Sequence, residues 1–327
     1  MARSFLKQAG VIVVLLASGQ APGDETLKER LFHEGAHEWQ ILDEMGSKLE
    51  GTFTVQMSYE GVNKPSTTTR YRVAINGTML KAVVIDEGAE ARERGWAVNK
   101  DYLFAVGRAQ GATDYGIQFL EPTRTLDAAT TERVKAMAAE IKDGLHAPWF
   151  LLGRSLSDWL KEPGFKIQTV EPAEDIKLVR VGFEYHKTPN DPREWIAPGF
   201  FVVDPANHWT LRSYQARMWW GEIEAGLDYG EPVDSLPVVR KRSERWTGKD
   251  KTVMQKTLQI ESIARKDVQE DQFRLPAFGL PEPNFQGEVG NRQLVLIGLA
   301  ILCGVLAWAV RRRPRPASPA RESPGDS

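Results

Sequence analysis

Thr52-Phe53-Thr54-Val55-Gln56-Met57-Ser58-Tyr59 decides the fold class, because apolar and polar residues alternate along it. Successive side chains of a β-strand point to opposite faces, so this alternation puts one face against a core and the other toward water. One-sided burial of this kind is typical of antiparallel sheets, whereas parallel strands are usually buried on both faces. The stretch therefore predicts a half-buried antiparallel strand.

A hairpin is predicted directly after this strand. Strand-like residues 72–75 and 79–85 flank Asn76-Gly77, a dipeptide in which both residues tolerate the positive φ of a two-residue hairpin turn. Asp204-Pro205-Ala206-Asn207 supplies a second turn, with Asn207 suited to a left-handed position. Further short strands continue to about residue 263, among them residues 96–99, 102–106, 115–120, 165–170, 176–185, 199–203 and 209–216.

Two segments have a helical pattern instead. Residues 25–45 place apolar side chains at helical spacing and end at Gly46. Residues 126–159 are rich in helix formers, with Asp127 as N-cap and a break near Gly144 and Pro148, and they predict a two-helix insertion. Strands before and after a helical pair predict an α+β fold: a long curved antiparallel sheet with packed helices.

Such a sheet has a concave side, and aromatic residues are plentiful in the segments that form it. Aromatic side chains there either fill a core or line an apolar cavity, and the pattern leaves both open. The tryptophans concerned are Trp149, Trp159, Trp195, Trp209, Trp219 and Trp220.

Both ends of the chain indicate a membrane. Near the N-terminus, a basic start and a short apolar run end at Ala17-Ser18-Gly19, which is typical of a cleaved signal peptide. Near the C-terminus, the chain runs from Gln293 to Val310 without a charge, about 27 Å as a helix, against roughly 30 Å for the hydrocarbon core of a bilayer. Arg311 and the arginines after it would hold the tail in the cytoplasm.

These signals predict a single-pass protein of the cell membrane whose bulk is extracytoplasmic, in the periplasm. Its parts are a signal peptide at residues 1–23, an exported domain at 24–285, a juxtamembrane linker at 286–292, a transmembrane helix at 293–310 and a cytoplasmic tail at 311–327. The only cysteine, Cys303, lies in the predicted span, so the exported domain has neither a disulfide nor a thiolate metal site. A net charge of −2 gives no nucleic-acid footprint.

The order of elements resembles that of the LolA-like lipoprotein carrier superfamily: an N-terminal helix, hairpins, a helical pair, then the strand at residues 179–185 and the hairpin entered by Phe201-Val202-Val203-Asp204-Pro205. Residues 202–214 and the closing stretch at 273–283 are also similar to exported proteins of planctomycete-type bacteria. The resemblance covers most of residues 25–283. It implies an unclosed β-barrel, with helices as a lid over a cavity that binds acyl chains or a partner's lipid-like segment.

The resemblance carries over no ligand-binding residue. This chain also differs from the soluble carriers in its predicted membrane anchor, which favours a stationary receiver, sensor or scaffold over a shuttle. Within the helical insertion, the strongly apolar residues Trp149, Phe150, Leu152 and Trp159 are the predicted lid residues that would contact a ligand.

A second hypothesis comes from His33-Glu34-Gly35-Ala36-His37, which matches the H-E-x-x-H pattern. In zinc hydrolases the two histidines bind the metal and the glutamate acts as general base on the metal-bound water. Gly35 weakens the helix that the motif needs, and no third ligand is marked by spacing. The sequence thus predicts an extracytoplasmic binding protein for a lipid, lipoprotein or apolar envelope partner, with no cofactor. The alternatives are a zinc hydrolase with catalytic Glu34, or a structural or signalling domain without a ligand.

Overall fold

The computed structural model describes residues 26–87, 92–109, 111–186 and 195–285. The predicted signal peptide, linker, transmembrane helix and cytoplasmic tail lie outside these residues. Within the described ranges, every helix is too short or too polar to span a bilayer. The described chain divides into two compact units, one ending at Phe273 and the other beginning at Arg274.

Strands make up most of the first unit. In chain order they are β1 Lys48–Glu60, β2 Thr67–Asn76, β3 Met79–Glu87, β4 Arg92–Val98, β5 Tyr102–Ala109, β6 Gly116–Pro122, β7 Phe150–Leu151, β8 Arg154–Ser155, β9 Phe165–Pro172, β10 Val179–His186, β11 Trp195–Asp204, β12 Thr210–Met218, β13 Gly221–Tyr229, β14 Val239–Gly248 and β15 Val253–Arg265. The short β7 and β8 pair only with each other in the described chain, and the other thirteen strands form one sheet.

The sheet is antiparallel throughout its described pairs and is open, with β6 and β9 as its edges. Its order is β6-β5-β4-β3-β2-β1-β15-β14-β13-β12-β11-β10-β9. Every neighbouring pair is consecutive in the chain except β1 and β15, which pair from Leu49 opposite Arg265 to Glu60 opposite Val253. This long-range pairing joins an N-terminal half-sheet, β1 to β6, to a C-terminal half-sheet, β9 to β15. The predicted α+β class with a large unclosed antiparallel sheet is confirmed.

The alternation that predicted β1 is present in the structure. Leu49, Gly51, Phe53 and Val55 are buried on one face, while the residues that alternate with them are exposed or half-buried. On the neighbouring strand, Val73 and Ile75 continue the buried face. The sheet therefore has an inner face that carries the main core, as period-two burial requires.

The two predicted turns are present, and Gly77 has the predicted positive φ, whereas Asn76 and Asn207 do not. Asn76 pairs with Met79, so the central residues of the β2–β3 turn are Gly77 and Thr78, and of these only Gly77 has a positive φ, +61°. A type II′ hairpin turn usually requires glycine at its first central position. After β11, the positive φ values belong to His208 and Trp209, at +55° and +53°, instead of Asn207.

Four α-helices occur in the described chain: α1 Leu27–Arg30, α2 Ala36–Met45, α3 Ala128–Leu145 and α4 Leu156–Lys161. A π-helical turn, Leu31–Gly35, joins α1 to α2. Asp127 caps α3 as predicted, accepting a hydrogen bond of 2.6 Å from the Thr130 amide. The predicted second helix is shorter than expected, because a 3₁₀ turn, Ala147–Trp149, and the β7–β8 hairpin precede α4.

Helices and inner sheet face share one hydrophobic core. Trp39 of α2 lies edge-on to Phe201 with ring centroids 6.5 Å apart, and its indole N–H donates to the Trp209 carbonyl at 2.8 Å. A smaller cluster of Ala74, Val268 and Phe273 lies on the outer face, since Ala74 alternates with the inward Val73. Most of the buried apolar area thus lies between the helices and the inner face of the sheet.

The second unit is described only from Arg274 to residue 285. It contains a 3₁₀ helix, Leu275–Phe278, which ends at Gly279 in the left-handed conformation. Arg274 and Glu282 form an ion pair at 2.6 Å across this turn.

Candidate binding site

A cleft of about 370 Å³ lies between α3 and the N-terminal half-sheet, and we call it the α3 cleft. Its volume is at the lower end of the range of small-molecule pockets, roughly 300–1,000 Å³. Met137 and Ile141 contribute from the helix and Trp96 from β4. The other lining residues are Tyr71, Val84, Arg94, Gly95, Ala105, Val106, Gln118 and Glu140.

The helix α3 packs most closely on the sheet near its C-terminal end, next to the cleft. Gly144 and Leu145 are buried, and a Cβ on Gly144 would lie 2.6 Å from the Phe53 ring, so only glycine permits this approach. Residues 128–140 are all exposed or half-buried. The helix is therefore held at its C-terminal end, and the residues that line the cleft, from Met137 to Ile141, lie in the turns just before that end.

A polar contact joins the sheet to α3 at the cleft. The Tyr71 hydroxyl donates to Glu140 Oε1 at 3.2 Å, and the Tyr71 ring stacks on Phe53 at 4.8 Å. Burial, together with the nearby Glu140 carboxylate, raises the pKa of Tyr71, so the hydroxyl remains a donor at neutral pH. Arg94 pairs with Asp86 at 2.8 Å. The cleft is thus apolar along Val84, Trp96, Ala105, Met137 and Ile141, with polar groups grouped around Tyr71 and Arg94.

The end of α3 is fixed by a buried charge cluster on the C-terminal half-sheet, which we call the Arg242 cluster: Asp143, Tyr214, Arg242, Glu244 and Trp246. Arg242 is 1% exposed, pairs with the Asp143 carboxylate and donates to the Asp143 carbonyl at 3.1 Å. Its Nε lies 2.8 Å from Glu244 Oε1. Glu244 also accepts from the Tyr214 hydroxyl at 3.2 Å and from the Trp246 indole at 2.9 Å.

Electrostatics keep this cluster charged. Burial opposes the charge of Arg242, but the Asp143 and Glu244 carboxylates outweigh it and raise the pKa of Arg242 above its ordinary value. Burial and Glu244 likewise raise the pKa of Tyr214. A cation at the C-terminal end of a helix also interacts favourably with the helix dipole. Arg242 therefore ties the last turn of α3 to β14.

The four predicted lid residues lie at the base of the helical layer. Trp149 and Trp159 are buried, and each indole N–H is hydrogen-bonded, to Asp43 Oδ1 at 2.8 Å and to the Leu151 carbonyl at 2.6 Å. Leu152 occupies the left-handed tip of the β7–β8 hairpin and is half-buried. Phe150 is also buried, and it lines a second cavity. The structure thus places three of the four in the packed core, next to the fixed end of α3.

The second cavity measures about 280 Å³, and its lining includes Asp43, His146, Phe150 and Ser155. His146 is buried against Trp149, and burial lowers its pKa to about 3, with Lys142 adding to the effect. Its Nε2 lies 3.0 Å from the Gly46 carbonyl, while the hydroxyl bonded to Asp43 is that of Ser157. Serine and histidine thus have separate partners here, which gives no activated nucleophile.

The H-E-x-x-H motif coincides with the π-helical turn. His33 and His37 are both exposed, and Glu34 forms an ion pair with Arg30 at 2.9 Å. Arg30 lowers the pKa of Glu34, which weakens it as a base. No group of three metal-ligating side chains occurs among the described residues, so the motif has no third ligand there. The zinc hypothesis stays a prediction without support from this geometry.

Two solved structures are similar to the chain. A DUF1329 family protein from Desulfovibrio piger matches with a TM-score of 0.43 at 8% identity, over 75% of this chain and 97% of that one. A LolA superfamily protein from Nitrosomonas europaea matches with a TM-score of 0.42 at 10% identity, over 73% and 97%. The second protein bears the name of the superfamily that the sequence resembles. No family model and no curated protein matches.

The sequence contains a signal for the α3 cleft, the spacing of apolar residues along α3, which the tryptophan positions do not reveal. Met137, Ile141 and Leu145 are spaced by four residues and so share one face of α3. Arg242 had no such signal, because β14 carries polar residues on both faces and one-sided burial could not be recognised from their alternation.

Proposed function

We propose that this protein is a membrane-tethered extracytoplasmic binding protein that holds a lipid chain or an apolar partner segment in the α3 cleft. The observation that carries the proposal is the packing of α3, which Arg242 clamps in its last turn, while Met137 and Ile141 in the turns just before it face a cleft that Trp96 also lines. A site that must admit an apolar ligand needs a cover that can move without unfolding the core, and this arrangement supplies one.

The binding energy would come from burial of apolar surface, about 0.8 kcal/mol for each methylene removed from water. The cover costs little to displace, because residues 128–140 bury no side chain fully. The Tyr71–Glu140 hydrogen bond is the described polar contact that would break on opening. Ligand entry is thus proposed to follow a displacement of the first part of α3.

The predicted lid residues take a different place in this proposal. Trp149, Phe150 and Trp159 form the fixed base against which α3 turns, and Leu152 lies at the edge of that base. A ligand would meet Met137 and Ile141 first. It would reach Phe150 only through the second cavity.

The membrane tether is proposed from sequence, on the uncharged run from Gln293 to Val310 and the arginines that follow it. With the signal peptide, it would place the domain outside the cytoplasm, anchored at the membrane surface. A tethered domain of this kind suits a receiver or sensor of lipids or lipoproteins better than a shuttle.

Met137→Glu tests the cleft. The substitution places a charge on the apolar face of α3 at a half-buried position, so we expect the full chain to lose at least tenfold in affinity for a fluorescent fatty acid, measured by titration in detergent solution. Ala136→Glu is the matched control, because residue 136 is exposed on the same turn and its charge would face solvent.

Equal affinity in both variants would remove the α3 cleft from the proposal. Absence of binding by the wild-type protein would favour a structural or signalling domain without a ligand. Thermal unfolding of each variant shows whether a loss of affinity reflects a loss of fold.

A further inference from the structure

Three hairpin turns lie side by side at one end of the sheet, and we call their exposed residues the tip surface: residues 60–66, 218–221 and 248–253. Strand register brings them together, since Glu60 pairs with Val253 and Gly221 pairs with Gly248. The Lys249 amide also donates to the Trp220 carbonyl at 3.0 Å. The three turns therefore form one continuous surface.

The tip surface exposes large apolar side chains. Trp219 is 46% exposed and Val62 is 48% exposed. Trp220 stacks on Trp246 with ring centroids 5.1 Å apart, so the pair of adjacent tryptophans has one member packed and the other presented outward. Exposed apolar side chains that lie together on a surface often mark an interaction site, which makes Trp219 a candidate contact residue.

Lysines surround this aromatic group. Lys64, Lys249 and Lys251 are all exposed, and no described acidic side chain forms an ion pair with any of them. The carboxylate of Asp250, which lies between two of them, is engaged by the Thr252 amide and hydroxyl at 3.0 and 2.9 Å. These hydrogen bonds lower the pKa of Asp250. Its carboxylate therefore stays ionised, and it is bonded within the turn itself. The tip surface thus presents three exposed lysines, of which Lys64 donates to the Tyr59 hydroxyl at 2.9 Å, beside the exposed carboxylate of Glu60, which accepts from Gln255 at 2.5 Å.

We propose that the tip surface docks on a lipid bilayer containing anionic headgroups. Indole rings prefer the interface between headgroups and acyl chains, and lysines near such a surface are attracted to anionic lipids. The apolar residues stand on separate turns and form no groove for a partner helix or strand, which favours a fluid surface over a protein. The tether of the proposed function keeps a bilayer within reach, so the inference rests on that part of it.

The position of the tip surface relative to the α3 cleft relates docking on a bilayer to entry of a lipid into the cleft. Tyr71 lies four residues beyond the start of β2, the strand that leaves the first of these turns. Arg94 lies close to the same end of its own strand, since β4 starts at Arg92. Docking through the tip surface would therefore bring the polar side of the cleft toward the bilayer from which a lipid would enter.

The test uses the full chain reconstituted in vesicles of phosphatidylcholine and phosphatidylglycerol whose acyl chains carry bromine, which quenches tryptophan in contact with them. We expect the wild-type protein to be quenched more than Trp219→Phe, in which the quenching that remains comes from Trp308 of the proposed span. The double substitution Lys249→Glu, Lys251→Glu should lower the quenching to the level of Trp219→Phe, and vesicles of phosphatidylcholine alone should do the same.

Ile176→Trp in the Trp219→Phe background is the matched control. Ile176 is 86% exposed on the turn between β9 and β10, at the opposite end of the sheet, so a tryptophan there should not be quenched. Equal quenching of the wild-type and Trp219→Phe proteins would overturn the proposal, as would quenching that ignores the lysines. Flotation with the vesicles separates the two failures: a chain that does not float has no tether, whereas one that floats without quenching of Trp219 lacks only the docking.

Discussion

Arg242 shows how one residue can decide whether α3 stays on the sheet. Its guanidinium lies in the core between two carboxylates, where charge is tolerated only because each ion has a partner. Removing the arginine would leave the buried Glu244 with only Lys256 at 3.8 Å and would take from the half-buried Asp143 its cation. The contact is thus a condition for the fold of this region more than a source of net stability.

Arg242→Met is therefore expected to lower the free energy of unfolding by about 3–5 kcal/mol, the usual cost of breaking a buried ion pair on one side. Arg217→Met is the control, because Arg217 pairs with Glu222 at 2.9 Å on the surface and exposed pairs contribute at most about 1 kcal/mol. Urea denaturation of the full chain measures both. Similar small losses would show that the Arg242 cluster does not clamp α3.

His146 gives the fold a dependence on pH. Its pKa is about 3 when folded and about 6.5 when exposed, so between these values the unfolded chain binds a proton that the folded chain does not. Stability from this group is complete above pH 6.5 and falls as the pH drops.

His146→Gln can keep a hydrogen bond to the Gly46 carbonyl but does not titrate. We expect the wild-type protein to lose stability relative to this variant by about 1.4 kcal/mol per pH unit below about pH 6. Unfolding in urea at pH 7 and pH 5 gives the comparison. Parallel pH profiles for the two proteins would mean that His146 is accessible to protons in the folded state.

At the scale of elements, the contact between α3 and β1 depends on two glycines. Gly144 lies against the Phe53 ring, and Gly51 lies against the Leu145 side chain. Each of the two elements, α3 and β1, therefore has a residue without a Cβ where the other approaches it. This close approach positions Ile141 and Met137 over the cleft, because they follow on the same face toward the N-terminus of the helix.

Gly144→Ala tests that contact. Alanine favours a helix by about 1 kcal/mol over glycine, but its methyl group would lie 2.6 Å from a buried ring, and overpacking costs about 1–3 kcal/mol. We therefore expect the thermal unfolding midpoint of Gly144→Ala to be lower than that of the wild-type protein. Gly226→Ala is the matched control on β13, where a Cβ meets no atom within 4 Å. A Gly144→Ala protein as stable as the control would show that α3 can lift from β1 at no cost.

Sequence patterns predicted the elements better than their details. Alternation located β1, and Asp127 marked the start of α3, because both signals are local and depend on a few neighbouring residues. The turn after β2 lies one residue later than predicted, because Asn76 pairs with Met79 and Gly77 is therefore the first central residue of the turn. The helical insertion was shortened because Leu152 and Gly153 form a tight turn that helix propensity does not reveal.

At the scale of the whole molecule, the pairing of β1 with β15 had no sequence signal. It joins residues that are 193 to 216 positions apart, and only the complete sheet determines which strands meet. The site depended on this as well. Tryptophans suggested a lid, yet Trp149 and Trp159 fill the core, while the cleft is lined by the half-buried Met137, its neighbours on α3 and residues of five strands. Composition identifies apolar material but not the place where packing leaves a gap.

The most direct test of the α3 cleft is photo-crosslinking of the full chain with a fatty acid that carries a diazirine on its acyl chain, followed by peptide mapping. The proposal predicts label on the α3 peptide with Met137 and Ile141 and on the β4 peptide with Trp96, reduced by competing unlabelled fatty acid. Label confined to other peptides, or label that competition does not reduce, would contradict it.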